Sequence, residues 1–156
     1  MIYFAYGSNL DIRQMTQRCP GARATGTAQL AGHRLCFPRR SMVRDCAVVS
    51  IEPSPGSVVW GVTYDLASED LKRLDSREGY DPAAPAERNH YNRVVVRVVR
   101  YRGETADAFT YVAVPQANAG EPSQSYLNQI ANGAKVHGLP EDYVSLIRGF
   151  GLAAAA

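Results

Sequence analysis

Several features that mark particular protein classes are missing from this sequence of 156 residues. No apolar stretch approaches the length of a membrane span, and the N-terminal apolar run lacks the basic segment of a signal peptide. The formal net charge of +2 is too small to favour nucleic acid or a membrane surface as a partner. The chain has an odd number of cysteines, and they lack CxxC spacing: Cys19, Cys36 and Cys46. They argue against a disulfide framework or a zinc cluster and favour a cytoplasmic protein.

The sequence also has none of the common cofactor-binding or nucleophile motifs. It contains no G-x-G-x-x-G, no Walker loop and no nucleophile elbow G-x-S-x-G. His33, His90 and His137 lie far apart, and none has a second ligand three or four residues away. We therefore expect neither a metal ion nor an organic cofactor.

An arginine-rich segment offers a rival interpretation as a nucleic-acid surface. Nearby acidic residues (Glu87, Glu104, Asp107) and the low net charge instead favour a solvated strand face. The arginines concerned are Arg93, Arg97, Arg100 and Arg102. We expect no nucleic-acid partner.

The composition that remains is typical of one soluble globular domain. Apolar residues make up 46% of the chain and charged residues 21%. We expect a single domain over residues 1–152, followed by a short alanine tail over 153–156 that takes no part in the fold.

Apolar patterns and turn residues predict an α+β fold. Consecutive strands joined by tight turns favour antiparallel pairing, and about six short strands with helices outside would close most economically into a small barrel. Loops or turns are expected at 38–41, 53–56, 81–89 and 115–122, and a bend at Gly32-His33. Strands are expected over 2–6, 26–37, 47–51, 58–64, 91–102 and 106–114. Helices are expected after Asn9, from an N-cap at Ser68 to Gly79, from Ser123, and from Pro140.

The first ten residues indicate a strand, a glycine turn and a helix N-terminus. Gly7 ends the apolar strand over 2–6 and is expected to need a positive φ. The segment from Leu10 to Cys19 has helical spacing of apolar residues, including Ile12 and Met15. Such a junction directs free backbone N–H groups at one spot, which suits a carboxylate or an oxyanion. An ordinary strand-to-helix loop has the same pattern.

Glu78 is the carboxylate that stands out. It ends a short amphipathic helix with apolar positions at Leu71 and Leu74, immediately before Gly79. On position alone it could equally be a solvated glutamate at a helix C-terminus, since most glutamates are exposed.

Several short sequence motifs of the chain resemble motifs of the gamma-glutamylcyclotransferase family. Tyr6-Gly7-Ser8-Asn9-Leu10 after an apolar strand is similar to its opening motif. Residues 58–62 and 74–79 resemble its apolar-Trp-Gly-apolar strand and its D-x-x-E-G segment. Residues 122–126 and 133–143 resemble the tyrosine-bearing segment and the closing helices. The resemblance follows the family's order from residue 1 to about 148, although the connection over 79–90 looks longer and could form a different pocket rim.

This resemblance implies a small mixed, mainly antiparallel β-barrel flanked by helices, acting as a gamma-glutamylcyclotransferase. Such an enzyme cyclises the gamma-glutamyl group of a gamma-glutamyl amino acid or amine, releasing 5-oxoproline and a free amine in cytoplasmic glutathione metabolism. It implies Glu78 as the catalytic acid–base group, a small-molecule gamma-glutamyl substrate, no cofactor, and a possible homodimer. The implied substrate-binding residues are Tyr3, Phe4, Ala5, Tyr6, Gly7, Ser8, Asn9 and Tyr126.

Two alternatives stay open from the sequence. One is a sister enzyme for a gamma-glutamyl amine or a gamma-glutamylated biosynthetic intermediate. The other is a non-catalytic relative that keeps the pocket as a ligand-binding module, since a fold does not fix a function.

Overall fold

In the computed structural model, which describes residues 1–155, the strands form one closed barrel. Within those residues the strands are β1 (Ile2–Ala5), β2 (Arg23–Ser41), β3 (Cys46–Asp65), β4 (Tyr91–Arg100) and β5 (Thr105–Ala113). The helices are α1 (Ile12–Arg18), α2 (Ser68–Arg77), α3 (Gln124–Val136) and α4 (Glu141–Ala155). Short 3₁₀ turns cover Ser8–Leu10, Ala86–Arg88 and Tyr101–Gly103.

Strand β1 closes the barrel. The strand order is β1-β3-β2-β4-β5, and β1 returns to pair with β5 in parallel at Tyr3 and Phe109. Every other pairing is antiparallel. The predicted α+β fold, a small mixed and mainly antiparallel barrel flanked by helices, is therefore confirmed.

The prediction was wrong about two interruptions in the sheet. The expected loop over 38–41 belongs to β2, and the expected turn over 53–56 belongs to β3. Residues 47–51 and 58–64 consequently do not pair with each other, because both pair with β2. On β2, Ala31 pairs with Val58 and His33 pairs with Pro53, on either side of the predicted bend at Gly32. The residues of β3 between Pro53 and Val58 therefore bulge out of the ladder. Such a bulge accommodates proline and glycine without ending the strand.

The helix boundaries differ from the sequence pattern at three places. Ala67, rather than Ser68, occupies the N-cap of α2, and Ser68 is its first helical residue. Asp11 caps α1 by accepting a hydrogen bond from the amide of Arg13, which leaves Ile12 48% exposed instead of inward-facing. Helix α4 continues to Ala155, inside the predicted alanine tail, and the last tail residue, 156, lies outside the described residues.

Gly61 shows why the barrel closes tightly around β1. A Cβ atom there would collide with the carbonyl oxygen of Ala5 and stand 2.6 Å from the ring of Phe4. The absence of a side chain at Gly61 therefore allows the backbones of β1 and β3 to approach closely. Phe4 is fully buried as a result and fixes the strand that carries the first site residues.

None of the helices within residues 1–155 has the length and apolar character needed to cross a membrane.

Candidate active site

A narrow pocket lies where β1 and the following turn meet the C-terminal end of α2. We call it the inner pocket, and its volume is about 40 Å³. Five tyrosines, the backbone of the turn and one carboxylate make its walls. The lining residues are Tyr3, Tyr6, Gly7, Ser8, Asn9, Val49, Glu78, Tyr91, Tyr111 and Tyr126.

The end of helix α2 sets the position of Glu78. Glu78 is the C-cap, and Gly79 follows with a φ of +65°, the left-handed conformation in which helices commonly end. The amide of Tyr80 then donates to the carbonyl of Asp75 at 2.9 Å, which completes the Schellman motif. A Cβ at Gly79 would stand 2.9 Å from His90, so the glycine is required sterically as well. Local sequence thus holds Glu78 at a fixed helix end.

The Glu78 carboxylate is nearly enclosed and has two polar neighbours. Its side chain is 15% exposed. The Asn9 amide nitrogen donates to its Oε1 at 3.2 Å, and the Arg18 Nη1 lies 3.6 Å from the same oxygen. Burial raises the pKa of Glu78, while Arg18 and Asn9 act in the opposite direction without cancelling the rise. A raised pKa makes a carboxyl group a better proton acceptor than an exposed glutamate.

Asn9 is fixed in one orientation. Its oxygen accepts from Gln14 at 3.0 Å and from Arg18 at 2.9 Å, and its nitrogen donates to the Tyr3 hydroxyl at 2.9 Å as well as to Glu78. With both sides of the amide engaged, Asn9 holds the carboxylate in place.

An ion pair fastens helix α2 to the barrel one turn before Glu78. Asp75 accepts hydrogen bonds from the Tyr111 hydroxyl at 2.6 Å and from Arg93 at 2.8 Å. The Arg93 guanidinium also lies over the Tyr80 ring, 5.2 Å from its centre. Because Tyr111 and Arg93 come from β5 and β4, this cluster positions the helix end relative to the pocket wall.

Three of the five pocket tyrosines form hydrogen bonds with backbone groups. The Tyr6 hydroxyl donates to the Tyr111 carbonyl, and the Tyr91 hydroxyl donates to the Val49 carbonyl at 2.7 Å. The Tyr126 hydroxyl accepts from the Val49 amide at 3.0 Å, which leaves its own proton available to a ligand. Burial raises the pKa of Tyr126, so this hydroxyl stays neutral and remains a donor.

The structure brings together six of the eight predicted substrate-binding residues. Phe4 and Ala5 are fully buried and are not among the residues that line the inner pocket. Gly7 lines it but has a φ of −112°, so the expected positive φ is wrong. A Cβ at Gly7 would approach Val49 to 2.7 Å, so the glycine is required for space. The remaining lining residues from the predicted set are Tyr3, Tyr6, Ser8, Asn9 and Tyr126.

Sequence reasoning missed the residues that β4 and β5 contribute. Tyr91 and Tyr111 face the pocket from these two strands, where Arg93 pairs opposite Tyr111. Strand alternation places such residues on one of two faces, but only barrel closure decides which face meets α2. In the arginine-rich segment, Arg97 pairs with Asp107 at 3.2 Å, and both side chains are exposed, as expected of a solvated strand face.

The inner pocket opens into a wider cavity of about 820 Å³, which we call the outer cavity. Ser8, Glu78, Tyr91 and Tyr126 line both spaces. Five arginines also line the outer cavity: Arg18, Arg39, Arg40, Arg44 and Arg77. Within residues 1–155, no three histidine, cysteine or acidic side chains come together as metal ligands would.

Comparison with known proteins finds a matching family model, similar sequences and a similar solved structure. Residues 58–147 match the model of the AIG2-like family. The human gamma-glutamylcyclotransferase is 32% identical over 146 residues, which cover 91% of this chain and 74% of that protein. The mouse gamma-glutamylcyclotransferase is 30% identical over the same shares. A solved structure of a gamma-glutamyl cyclotransferase superposes with a TM-score of 0.86 at 28% identity, covering 96% of this chain and 87% of that one.

Proposed function

The chain belongs to the AIG2-like, gamma-glutamylcyclotransferase family, and we propose that it cyclises a gamma-glutamyl substrate with Glu78 as the acid–base group. The predicted family and enzyme class are confirmed by the relatives that carry this name. The residue roles below are our assignment from the geometry of the inner pocket.

The reaction is intramolecular. The α-amine of the glutamyl group attacks its own γ-carbonyl carbon, a new C–N bond closes the five-membered lactam, and the original amide C–N bond breaks. Holding the glutamyl chain folded in a narrow pocket supplies much of the advantage, because both reactants belong to one molecule. The narrow, tyrosine-walled shape of the inner pocket supports this role.

Glu78 is assigned to the proton transfers. As the α-ammonium becomes the lactam N–H it loses two protons, and the departing amine gains two to leave as an ammonium. A carboxylate that accepts each proton and passes it on balances the reaction without consuming water. Burial is the main cause of the raised pKa of Glu78. The rise brings this pKa closer to neutral pH, which suits the group both to accept and to donate a proton.

The turn after β1 supplies neutral donors. Ser8 and Asn9 begin the 3₁₀ turn, where backbone amides have no partner within the helix. We assign these amides to the substrate carboxylate or the tetrahedral oxyanion, together with the Tyr126 hydroxyl.

One observation carries the proposal. Among the described residues that line the inner pocket, Glu78 is the one carboxylate, and Asn9 holds it in place. Burying a carboxylate costs free energy even beside Arg18, and a role in proton transfer accounts for its place in the pocket.

The test is release of 5-oxoproline from a panel of gamma-glutamyl amino acids and gamma-glutamyl amines. We expect equal amounts of 5-oxoproline and free amine. Release of glutamate would indicate hydrolysis and contradict cyclisation, and release of neither product would favour the non-catalytic alternative. The pattern of accepted amines separates the general enzyme from its sister enzymes.

The cell compartment and the assembly are further proposals. Cys19, Cys36 and Cys46 are free thiols, which suits the reducing cytoplasm. The homodimer stays a prediction, and light scattering on the purified protein tests it directly.

A further inference from the structure

The Ser8 hydroxyl lies in the wall of the inner pocket, and a side chain outside the pocket determines its hydrogen bonding. Gln14 Nε2, on helix α1, donates to Ser8 Oγ at 2.7 Å. The same nitrogen donates to Asn9 Oδ1 at 3.0 Å. Gln14 therefore holds two adjacent residues of the turn after β1, although it is not among the residues that line the inner pocket.

The orientation of the Gln14 amide is set by Arg44, in the turn between β2 and β3. A guanidinium group has donors and no acceptors. The atom of Gln14 that faces Arg44 Nη2 at 2.8 Å must therefore be its oxygen. That oxygen also accepts from Gln129 Nε2 at 3.2 Å. Since both acceptor positions of the oxygen are occupied, the Gln14 nitrogen must face the turn.

Gln129, on helix α3, fixes the same arrangement a second time. Its oxygen accepts from Arg44 Nη1 at 2.8 Å, and its nitrogen donates to Asp11 Oδ2, also at 2.8 Å. Asp11 is the N-cap of α1. A group that can only donate stands at one end of this network and a carboxylate at the other, so the hydrogen bonds between them have one consistent direction.

For Ser8, this direction leaves the hydroxyl proton available to a ligand. Because Gln14 Nε2 can only donate, Ser8 Oγ accepts from it and keeps its own single proton. Among residues 1–155, no hydrogen bond uses that proton. Ser8 and Glu78 line the same inner pocket, so a substrate oxygen bound near the acid–base group can accept it.

We propose that Gln14 is a positioning residue, which makes the Ser8 hydroxyl a hydrogen-bond donor to the substrate. The accepting oxygen belongs to the substrate carboxylate or to the tetrahedral oxyanion, and hydrogen bonds to charged oxygens are the stronger kind. The same Gln14 nitrogen keeps the Asn9 oxygen on its own side, so that the Asn9 nitrogen faces Glu78. The inference rests on the proposed cyclotransferase function and adds to it a residue that orients a substrate donor.

A double-mutant cycle in kcat/KM tests the coupling of Gln14 to Ser8. The substrate is a gamma-glutamyl amino acid that the wild type converts. We expect Ser8→Ala alone to lower kcat/KM about tenfold or more, the effect of one hydrogen bond to a charged group. Gln14→Met has similar length but cannot donate, so in its background Ser8→Ala should lower kcat/KM about threefold or less. A purely structural role of Gln14 would leave the effect of Ser8→Ala unchanged.

Gln14→Glu repeats the cycle with a side chain that keeps contacts within the network. Its carboxylate still accepts from Arg44 and Gln129, but it offers Ser8 only acceptors. The Ser8 hydroxyl then donates to this carboxylate instead of to the substrate. In this background too, Ser8→Ala should lower kcat/KM about threefold or less. The added negative charge is present with and without the Ser8 hydroxyl, so its own effect cancels in the cycle.

Gln17→Met is the matched control. Gln17 is exposed on the same helix and lines neither space, so this variant should keep the wild-type kcat/KM and the full effect of Ser8→Ala. An unchanged effect of Ser8→Ala in either folded Gln14 variant overturns the inference. Wild-type kcat/KM in the Ser8→Ala protein also overturns it, and this result needs no Gln14 variant to fold. If the wild type releases 5-oxoproline from no gamma-glutamyl substrate, the proposed function fails and the inference fails with it.

Discussion

The inner pocket and the outer cavity are neighbours with opposite chemistry. The inner pocket has tyrosine walls around one buried carboxylate, and the outer cavity has arginine walls around a wide opening. Burial raises the pKa of Glu78 in the first, whereas five arginine side chains line the second. Under the proposed mechanism, proton transfer takes place in the inner pocket, and the outer cavity places a positively charged wall beside it.

The two spaces also differ in how the chain builds them. The inner pocket uses short segments with strong local signals, the turn over Ser8–Leu10 and the end of α2 at Glu78. The outer cavity depends on the long β2–β3 hairpin, whose turn carries Arg44 and whose strand β2 carries Arg39. The turn and the helix end of the inner pocket are therefore determined by local sequence, whereas the positions of Arg39 and Arg44 depend on distant pairing.

Removing the acid of the inner pocket should have the largest effect. Glu78→Gln keeps the shape of the side chain but cannot accept the ammonium proton. Loss of a general acid–base group typically costs about 10² to 10⁴ in rate, and we expect the upper end because Glu78 serves both transfers. Glu87→Gln is the control, since Glu87 is exposed in the 3₁₀ turn over Ala86–Arg88. The measurement is 5-oxoproline release under saturating substrate.

The same pair of variants tests the burial of Glu78. Its pKa is raised in the folded state, so its contribution to stability is present below its usual pKa and is lost as pH rises through the folded-state pKa. Glu78→Gln should therefore melt at the same temperature as wild type or higher at neutral pH. Turnover within about threefold of wild type, under roughly 0.7 kcal/mol, would show that Glu78 is not the catalyst.

Loosening the helix end should have an intermediate effect. Asp75→Asn removes the ion pair with Arg93 and weakens the hydrogen bond from Tyr111. We expect a loss of about 1.5 to 3 kcal/mol in the free energy of unfolding, and a decrease in kcat of roughly ten- to a hundredfold because Glu78 shifts. Thermal unfolding and steady-state kinetics measure the two effects.

Asp107→Asn provides the comparison for that variant. Asp107 pairs with Arg97, but these side chains are 66% and 68% exposed, so the pair contributes little to stability. Unchanged kcat in a folded Asp75→Asn protein would show that the ion pair only stabilises the fold.

Particular residues show what the sequence could predict. Gly79 and Glu78 were placed correctly because a Schellman motif depends on adjacent residues. The expected turn over 53–56 failed because pairing with β2 continues on both sides of a bulge, which turn residues alone do not reveal. Tyr111 and Arg39 reach the site only through barrel closure and hairpin pairing. Local chemistry was therefore predictable, whereas the residues that complete the pocket depend on long-range register.

Arg18 lies between the two spaces, and its removal should have the smallest effect on rate. It lines the outer cavity and approaches Glu78 Oε1 at 3.6 Å, where its charge opposes the burial that raises the pKa of Glu78. Arg18→Gln should raise that pKa further, so the acidic limb of the kcat/KM profile moves to higher pH. The plateau should stay within about tenfold, since one hydrogen bond to Asn9 is lost. Arg13→Gln, exposed on α1, should leave the limb in place. A limb that stays fixed or moves to lower pH in Arg18→Gln would mean that the titrating group is not Glu78.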